Sequence, residues 1–262
     1  MIATSVEQPL PEIQDGERVV PGRAPLYLFE KHASRYQFIV AQSGGRDLLE
    51  MGSGDGYGAY FLADHARSLL GVDIDRATVA RAAARYVQPN LRFALMDCAR
   101  LSLPDAQFDL VYSFEVIEHV PDVDAFLAEA RRMLRPGGSF YVSTPNRHGY
   151  VASGRNPYHE TEYTYAEFAE LLGRHFGEVQ IFGQFCRRPL RGALYRTSSR
   201  LFFDSPGYRR LVYGVAPIYA RLFWNGEEPQ ARNWVAGVNR SAFAYASEDA
   251  DQADSFLAFC RV

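Results

Sequence analysis

Between residues 46 and 184, short apolar runs alternate with longer stretches whose apolar positions recur at helical spacing. Runs at 46–51 (RDLLEM), 68–74, 91–97 and 108–114 (FDLVYSF) are too short for helices and read as buried strands. Residues 139–143 and 178–182 continue the series, and 255–260 re-enters it near the end of the chain. The stretches 58–65, 76–87, 122–134 and 165–174 between them read as helices. In the third, Val123, Phe126, Leu127, Ala130, Met133 and Leu134 share one face, and Arg135-Pro-Gly-Gly halts it. Strands separated by helices imply βαβ units: an α/β fold with a mostly parallel sheet and helices on both faces.

Two regions fall outside this alternation. Residues 1–45 form an N-terminal lead-in or lid, with a helix expected at 26–41. Residues 185–240 are rich in Tyr, Phe and Arg, with helical pieces at 195–203 and 207–223, and are expected to form a helical insertion that caps the substrate. The expected division is therefore 1–45, a core at 46–184, the insertion at 185–240, and closing strands at 241–262.

Composition narrows the function without naming it. A 262-residue chain that is 47% apolar builds an ample core. Its net charge is −3 and its pI about 6.1, so no global basic field draws nucleic acid or an anionic membrane. The basic residues are almost all arginine, which we read as coding bias. No apolar run approaches the roughly 20 residues a membrane span needs, and the first 22 residues lack a secretory apolar stretch. Cys98, Cys186 and Cys260 have no metal-type spacing and fit reduced thiols, so a cytoplasmic protein is expected.

The first strand runs into Glu50-Met-Gly52-Ser-Gly54-Asp-Gly56-Tyr-Gly58. Glycines at this place let the backbone turn sharply and approach a ligand at a helix N-terminus. Tyr57 departs from the small residue of a dehydrogenase fingerprint, and no Gly-Lys-Ser/Thr of a P-loop follows. Asp73 ends the second strand, where a carboxylate can hold both hydroxyls of a ribose, and Asp97 ends the third, placed to accept from an adenine amine. The bland alternative is that both acids cap the following helices.

Together with G-V-D-I-D at 71–75, F-D-L-V at 108–111 and L-R-P-G-G at 134–138, these elements resemble the class I S-adenosylmethionine (SAM)-dependent methyltransferases over about residues 46–184. The resemblance implies a Rossmann-like, seven-stranded sheet whose last strand is antiparallel, with SAM over the carboxyl ends of the strands. It places Gly52, Gly54 and Gly56 along the methionine half of SAM and Asp73 on the ribose. Asp97 and Cys98 flank the adenine, Phe114 lies near the sulfonium, and Ser53 and Ile74 complete the cofactor-binding set. Glu50 and Asp55 are expected to complement the positive charge of SAM. Arg23, Arg35 and Tyr36 precede the sheet and are candidates to close over the cofactor.

Directly after the fourth strand comes Glu115-Val-Ile-Glu118-His119. If a helix starts here, two carboxylates and an imidazole converge on one face, and a divalent cation relieves their repulsion. His159, in Asn156-Pro-Tyr-His159-Glu160, is a fourth candidate. The E-x-x-E-H run, the following T-P-N and the later H-x-x-E-Y-T look like the metal site of small-RNA 2′-O-methyltransferases and quinone-pathway O-methyltransferases. That resemblance implies Glu115, Glu118, His119 and His159 as ligands of Mg²⁺ or Mn²⁺, with Glu115, Glu118 and His119 as the catalytic set. E-R-V-V-P-G at 17–22, N-P-Y-H at 156–159 and G-Q at 183–184 also resemble bacterial methyltransferases of glycan assembly.

The leading expectation is metal-assisted O-methylation of a vicinal diol on a sugar, glycan, glycosylated metabolite or catechol. A metal-free O- or N-methyltransferase with His119 as general base is the second. A non-catalytic SAM-binding subunit is the third, and an RNA acceptor ranks below these because of the acidic pI. Glu118 and His119 merely capping the next helix is the bland alternative. His148 is read as a solvated loop residue and His175 as a favourable helix-end charge. The acceptor's identity and the oligomeric state stay open.

Overall fold

The computed structural model describes residues 19–21, 24, 26–151, 158–187, 235 and 242–262. The expected insertion pieces at 195–203 and 207–223, and Arg23, lie outside these residues. The apolar runs become strands β1 (Asp47–Met51), β2 (Ser68–Asp73), β3 (Leu91–Leu95) and β4 (Phe108–Phe114). They continue as β5 (Leu134–Pro145), β6 (Glu178–Cys186), β7 (Phe243–Ala246) and β8 (Ser255–Arg261). The helices are α1 (Leu26–Ser43), α2 (Tyr57–Ala63), α3 (Arg76–Arg85), α4 (Val123–Met133), α5 (Arg147–Val151) and α6 (Tyr165–His175).

The sheet has eight strands in the order β3-β2-β1-β4-β5-β8-β6-β7. Strands β1 to β5 pair in parallel, and β8 enters antiparallel between β5 and β6. The expected seven-stranded sheet with one antiparallel strand is thus present, and the count is corrected by β7, which pairs antiparallel at the edge of β6. Strand β7 is only four residues long and follows the aromatic-rich segment, where no alternation marked it. Strand β5 is longer than expected because it begins at Leu134 and carries Pro136 and the two glycines into a register shift opposite Phe108 and Leu110.

Alternation along each strand divides the core between two faces. Leu49, Met51 and Val111 join Phe126, Leu127, Phe168 and Phe256 beneath α4 and α6. Leu48, Leu110 and Tyr112 join Phe29, Tyr36, Ile39 and Leu62 beneath α1 and α2. At the amino ends of the strands, Arg135 bridges Asp47 (2.9 Å) and Asp109 (2.8 Å), with Arg67 also against Asp47. The acid of F-D-L-V and the arginine of L-R-P-G-G therefore clamp the edge opposite the glycine turn. Chain direction reverses its lateral order between β1 and β4, and ligands of open α/β sheets bind at the carboxyl ends beside such a point.

Candidate active site

The turn after β1 crosses that point. Gly52 N and Ser53 N both donate to the Val72 carbonyl (2.8 Å), tying the turn to the tip of β2. Gly52 has φ +79°, and a Cβ there would sit 2.5 Å from Val116 Cγ2, so this position admits only glycine. Gly54, at φ +52°, has nothing within 4 Å of where a Cβ would be, which leaves its backbone open to a ligand. Asp73 braces the turn: its Oδ2 accepts from Gly54 N and its Oδ1 from Asp75 N, both at 2.9 Å. The cap of α3 is Asp75, whose side chain accepts from Thr78 N, so Asp73 is not the helix cap. Ile74 beside it is 70% exposed, an apolar side chain standing in solvent at the tip of β2. Asp97 is exposed, accepts from Ala99 N (2.9 Å) and caps no helix, while Cys98 is buried with its thiol pushed up to about 12 by burial. Phe114 ends β4, buried against Tyr36.

The two expected charge partners of SAM are both engaged within the protein. Asp55 accepts from the Tyr86 hydroxyl (3.0 Å) and lies near Arg85. Glu50 is 1% exposed and accepts from the Tyr36 hydroxyl (2.8 Å); burial raises its carboxyl to about 8, so it is protonated at neutral pH. Tyr36 therefore locks the floor of the turn.

On the acceptor side the chain does not run as an α-helix through 115–119. Glu115 takes φ +55°, and only Ile117–His119 close a single 3₁₀ turn. The expected common face is thereby lost. Glu115 turns away to ion-pair with Arg35 of α1 (3.1 Å) and accepts from the Ser143 hydroxyl (3.1 Å). Burial opposes ionisation of Glu115, but Arg35 and then Lys31 bring its carboxyl down to about 2.

Glu118, His119 and His159 meet, offering one ligand atom each within 4.8 Å of one another, and Glu115 is not in that group. The loop carrying His159 is docked there because Glu160 N and Thr161 N donate to the Glu118 carbonyl (2.9 and 3.2 Å). Glu118 is 1% exposed; its Oε2 accepts from the Thr144 hydroxyl (3.2 Å), and its Oε1 is buried without a hydrogen-bond partner among the described residues. Burial, reinforced by Glu115, pushes this carboxyl well above its ordinary range. His119 Nδ1 lies 3.0 Å from the Tyr158 carbonyl, which only accepts, so Nδ1 carries a proton and in the neutral ring Nε2 holds the lone pair. His159 Nδ1 lies 3.2 Å from Glu162 Oε1, and burial lowers this imidazole to about 4, keeping it neutral. An imidazole whose second nitrogen is held by a carboxylate or carbonyl is the form in which histidine binds metals. Neither Glu118 nor His119 caps α4, whose cap is Asp122 bonded to Ala125 N (3.0 Å).

His148 falls in the short α5, and His175 Nε2 meets Asp124 Oδ1 (2.7 Å), joining α6 to α4. Sequence reasoning gave no role to Lys31, Ser143, Thr144 or Gln184. Glu162 was visible only as the fourth position of H-x-x-E.

Residues 49–142 match the family model of a methyltransferase domain. A protein of Mycolicibacterium smegmatis named "Probable S-adenosylmethionine-dependent methyltransferase" is 48% identical over 170 residues, 63% of this chain and 65% of that one. The chain thus spans just under two thirds of that relative's length. The ubiquinone biosynthesis O-methyltransferase of Paramagnetospirillum magneticum is 36% identical over 121 residues, 45% of this chain and 48% of that one. The solved structure of a SAM-dependent methyltransferase from Thermotoga maritima aligns over 90% of each chain with a TM-score of 0.59 at 15% identity. The fold is the Rossmann-like fold of class I methyltransferases.

Proposed function

We propose that this chain is a SAM-dependent O-methyltransferase acting on a vicinal-diol hydroxyl of a sugar, glycan, glycosylated metabolite or catechol, assisted by a divalent cation. The observation that carries this reading is the meeting of Glu118, His119 and His159 at the same sheet edge as the open glycine turn. The matched methyltransferase domain and the named O-methyltransferase relative support it.

SAM supplies an electrophilic methyl group on a sulfonium. The open backbone at Gly54 would line its methionine half, the turn-braced Asp73 carboxylate would hold the ribose, and the exposed Ile74 would lie against the adenine. Burial of Phe114 and Tyr36 excludes water below the transfer point.

Glu118, His119 and His159, a donor set of mixed N and O type, would hold Mg²⁺ or Mn²⁺. A divalent cation in this position supplies Lewis acidity, which lowers the pKa of a bound hydroxyl. The orphaned Glu118 Oε1 and the lone pairs of the imidazoles supply the donor set, while Tyr158 and Glu162 hold the rings in place. Glu115, ionised and fixed by Arg35, stands outside the ligand cluster and serves as a hydrogen-bond acceptor rather than a base.

The test is methyl transfer from labelled SAM to diol acceptors. Activity that stops in EDTA and returns with Mn²⁺ or Mg²⁺ is expected. Unchanged turnover in EDTA removes the cation and favours His119 as general base, a reading that its Nε2 lone pair also suits.

A further inference from the structure

Lys31 is the sole lysine in a chain that otherwise uses arginine for every basic position. It lies on α1, only 7% exposed, in the field of Glu115, Arg35, Asp254 and Glu118, and its charge is felt at His159. Its ammonium makes no hydrogen bond or ion pair with any described residue. One turn on, Arg35 is fully buried: Nε donates to Gln184 Oε1 (3.2 Å) and Nη2 pairs with Glu115, but Nη1 has no hydrogen-bond partner among the described residues.

An ammonium presents three N–H donors and a guanidinium five, and leaving a donor unbonded in a desolvated site, as at Arg35 Nη1, is unfavourable. Among the described acceptors nearby, Glu115 holds Arg35 and Ser143, and Glu118 belongs to the ligand cluster. Among the described residues, Arg35 Nη1 is thus left short of an oxygen acceptor on the side facing α1. A flat aromatic diol brings two oxygens, both used at the reacting centre, and otherwise an apolar ring edge. A pyranose carries oxygen around its whole ring.

We propose that Lys31, backed by Arg35, reads an acceptor oxygen beyond the reacting diol, so that the site takes a polyhydroxylated, sugar-like acceptor rather than a catechol. This rests on the acceptor-side reading above and makes Lys31 a specificity-determining residue.

The single lysine provides its own reporter. Protein labelled with ¹⁵N-lysine gives one side-chain Nζ resonance, followed with S-adenosylhomocysteine and Mn²⁺ present. Methyl α-mannopyranoside, whose O2 and O3 form a cis diol, is expected to shift that resonance, and catechol is not. A hydrogen bond to a charged group corresponds to about tenfold or more in affinity. Lys31→Met is accordingly expected to weaken mannopyranoside binding by that factor and leave catechol binding unchanged, while Lys31→Gln, which keeps N–H donors, restores part of it. A resonance unmoved by saturating mannopyranoside, an equal or larger shift with catechol, or intact sugar binding in Lys31→Met overturns the proposal. A Lys31 shift with no methyl transfer to either compound instead defeats the proposed reaction and leaves the role of Lys31 standing.

Discussion

At Gly52 and Gly54 the same residue type serves two purposes, and substitution separates them. Both have positive φ, which costs an L-residue roughly 1–2 kcal/mol. Gly52→Ala adds a methyl 2.5 Å from Val116, a half-buried contact that must give way. It is expected to lower unfolding free energy by about 3 kcal/mol in a urea titration. Gly54→Ala meets nothing and is expected to stay within about 2 kcal/mol of the parent while losing SAM in calorimetry, because its methyl occupies the ligand's approach. Equal stability losses in the two variants would contradict this division. Glu162 makes a second case at this scale. Its carboxylate holds His159 Nδ1, and loss of such a partner typically weakens metal binding about 10–100-fold. Glu162→Gln is expected to show that loss in a Mn²⁺ titration with little change in thermal stability; Mn²⁺ affinity equal to the parent would argue against a cation at His159.

Helix α1 was legible as an element but not as a component of the site. Its apolar spacing marked a helix at 26–41, and Arg35 and Tyr36 were candidates to close over the cofactor. In the structure Tyr36 reaches down to Glu50 and Arg35 across to Glu115. Such long-range pairs leave no periodic trace, because 14 residues separate one pair and the other joins α1 to the end of β4. The acceptor-side motif was legible in composition and misread in conformation, since E-x-x-E-H spacing suits an α-helix while φ +55° at Glu115 breaks it. What holds α1 in place is Gln184 of β6. Its Oε1 accepts from Arg35 Nε, and its Nε2 donates to the Lys31 carbonyl and the Ser34 hydroxyl (both 2.8 Å). Gln184→Leu keeps the bulk and strands those buried groups, at a cost of about 1–3 kcal/mol for each left unsatisfied. The variant is expected to unfold with a loss of at least about 2 kcal/mol. An unchanged denaturation midpoint would mean that β6 does not tether the helix.

For the molecule as a whole, the sheet was readable because its strands are short, apolar and separated by helical periods; β7 escaped because it is an edge strand of half-buried residues beyond an aromatic segment. The protonation of the core was not readable, since Glu50 in E-x-G-x-G looks like a charge and only its burial between Tyr36 and Tyr112 makes it neutral. That neutrality has a global consequence. Below about pH 4.5 the carboxyl is protonated in both folded and unfolded chains and contributes no slope. Between there and about 8 the folded protein keeps a proton that the unfolded chain has released, so stability falls as pH rises, by up to about 1.4 kcal/mol per pH unit. Above that value both forms are ionised and the slope vanishes. Glu50→Gln retains an oxygen to accept from Tyr36 but has no proton to lose, so it cancels this contribution alone. The difference in unfolding free energy between Glu50→Gln and the parent is therefore expected to grow in favour of the variant by about 2 kcal/mol or more from pH 5 to pH 8. All other titrating groups are common to both proteins and drop out of that difference. A difference independent of pH would mean that Glu50 is ionised in the fold, and that a cation beneath the glycine turn offsets its burial.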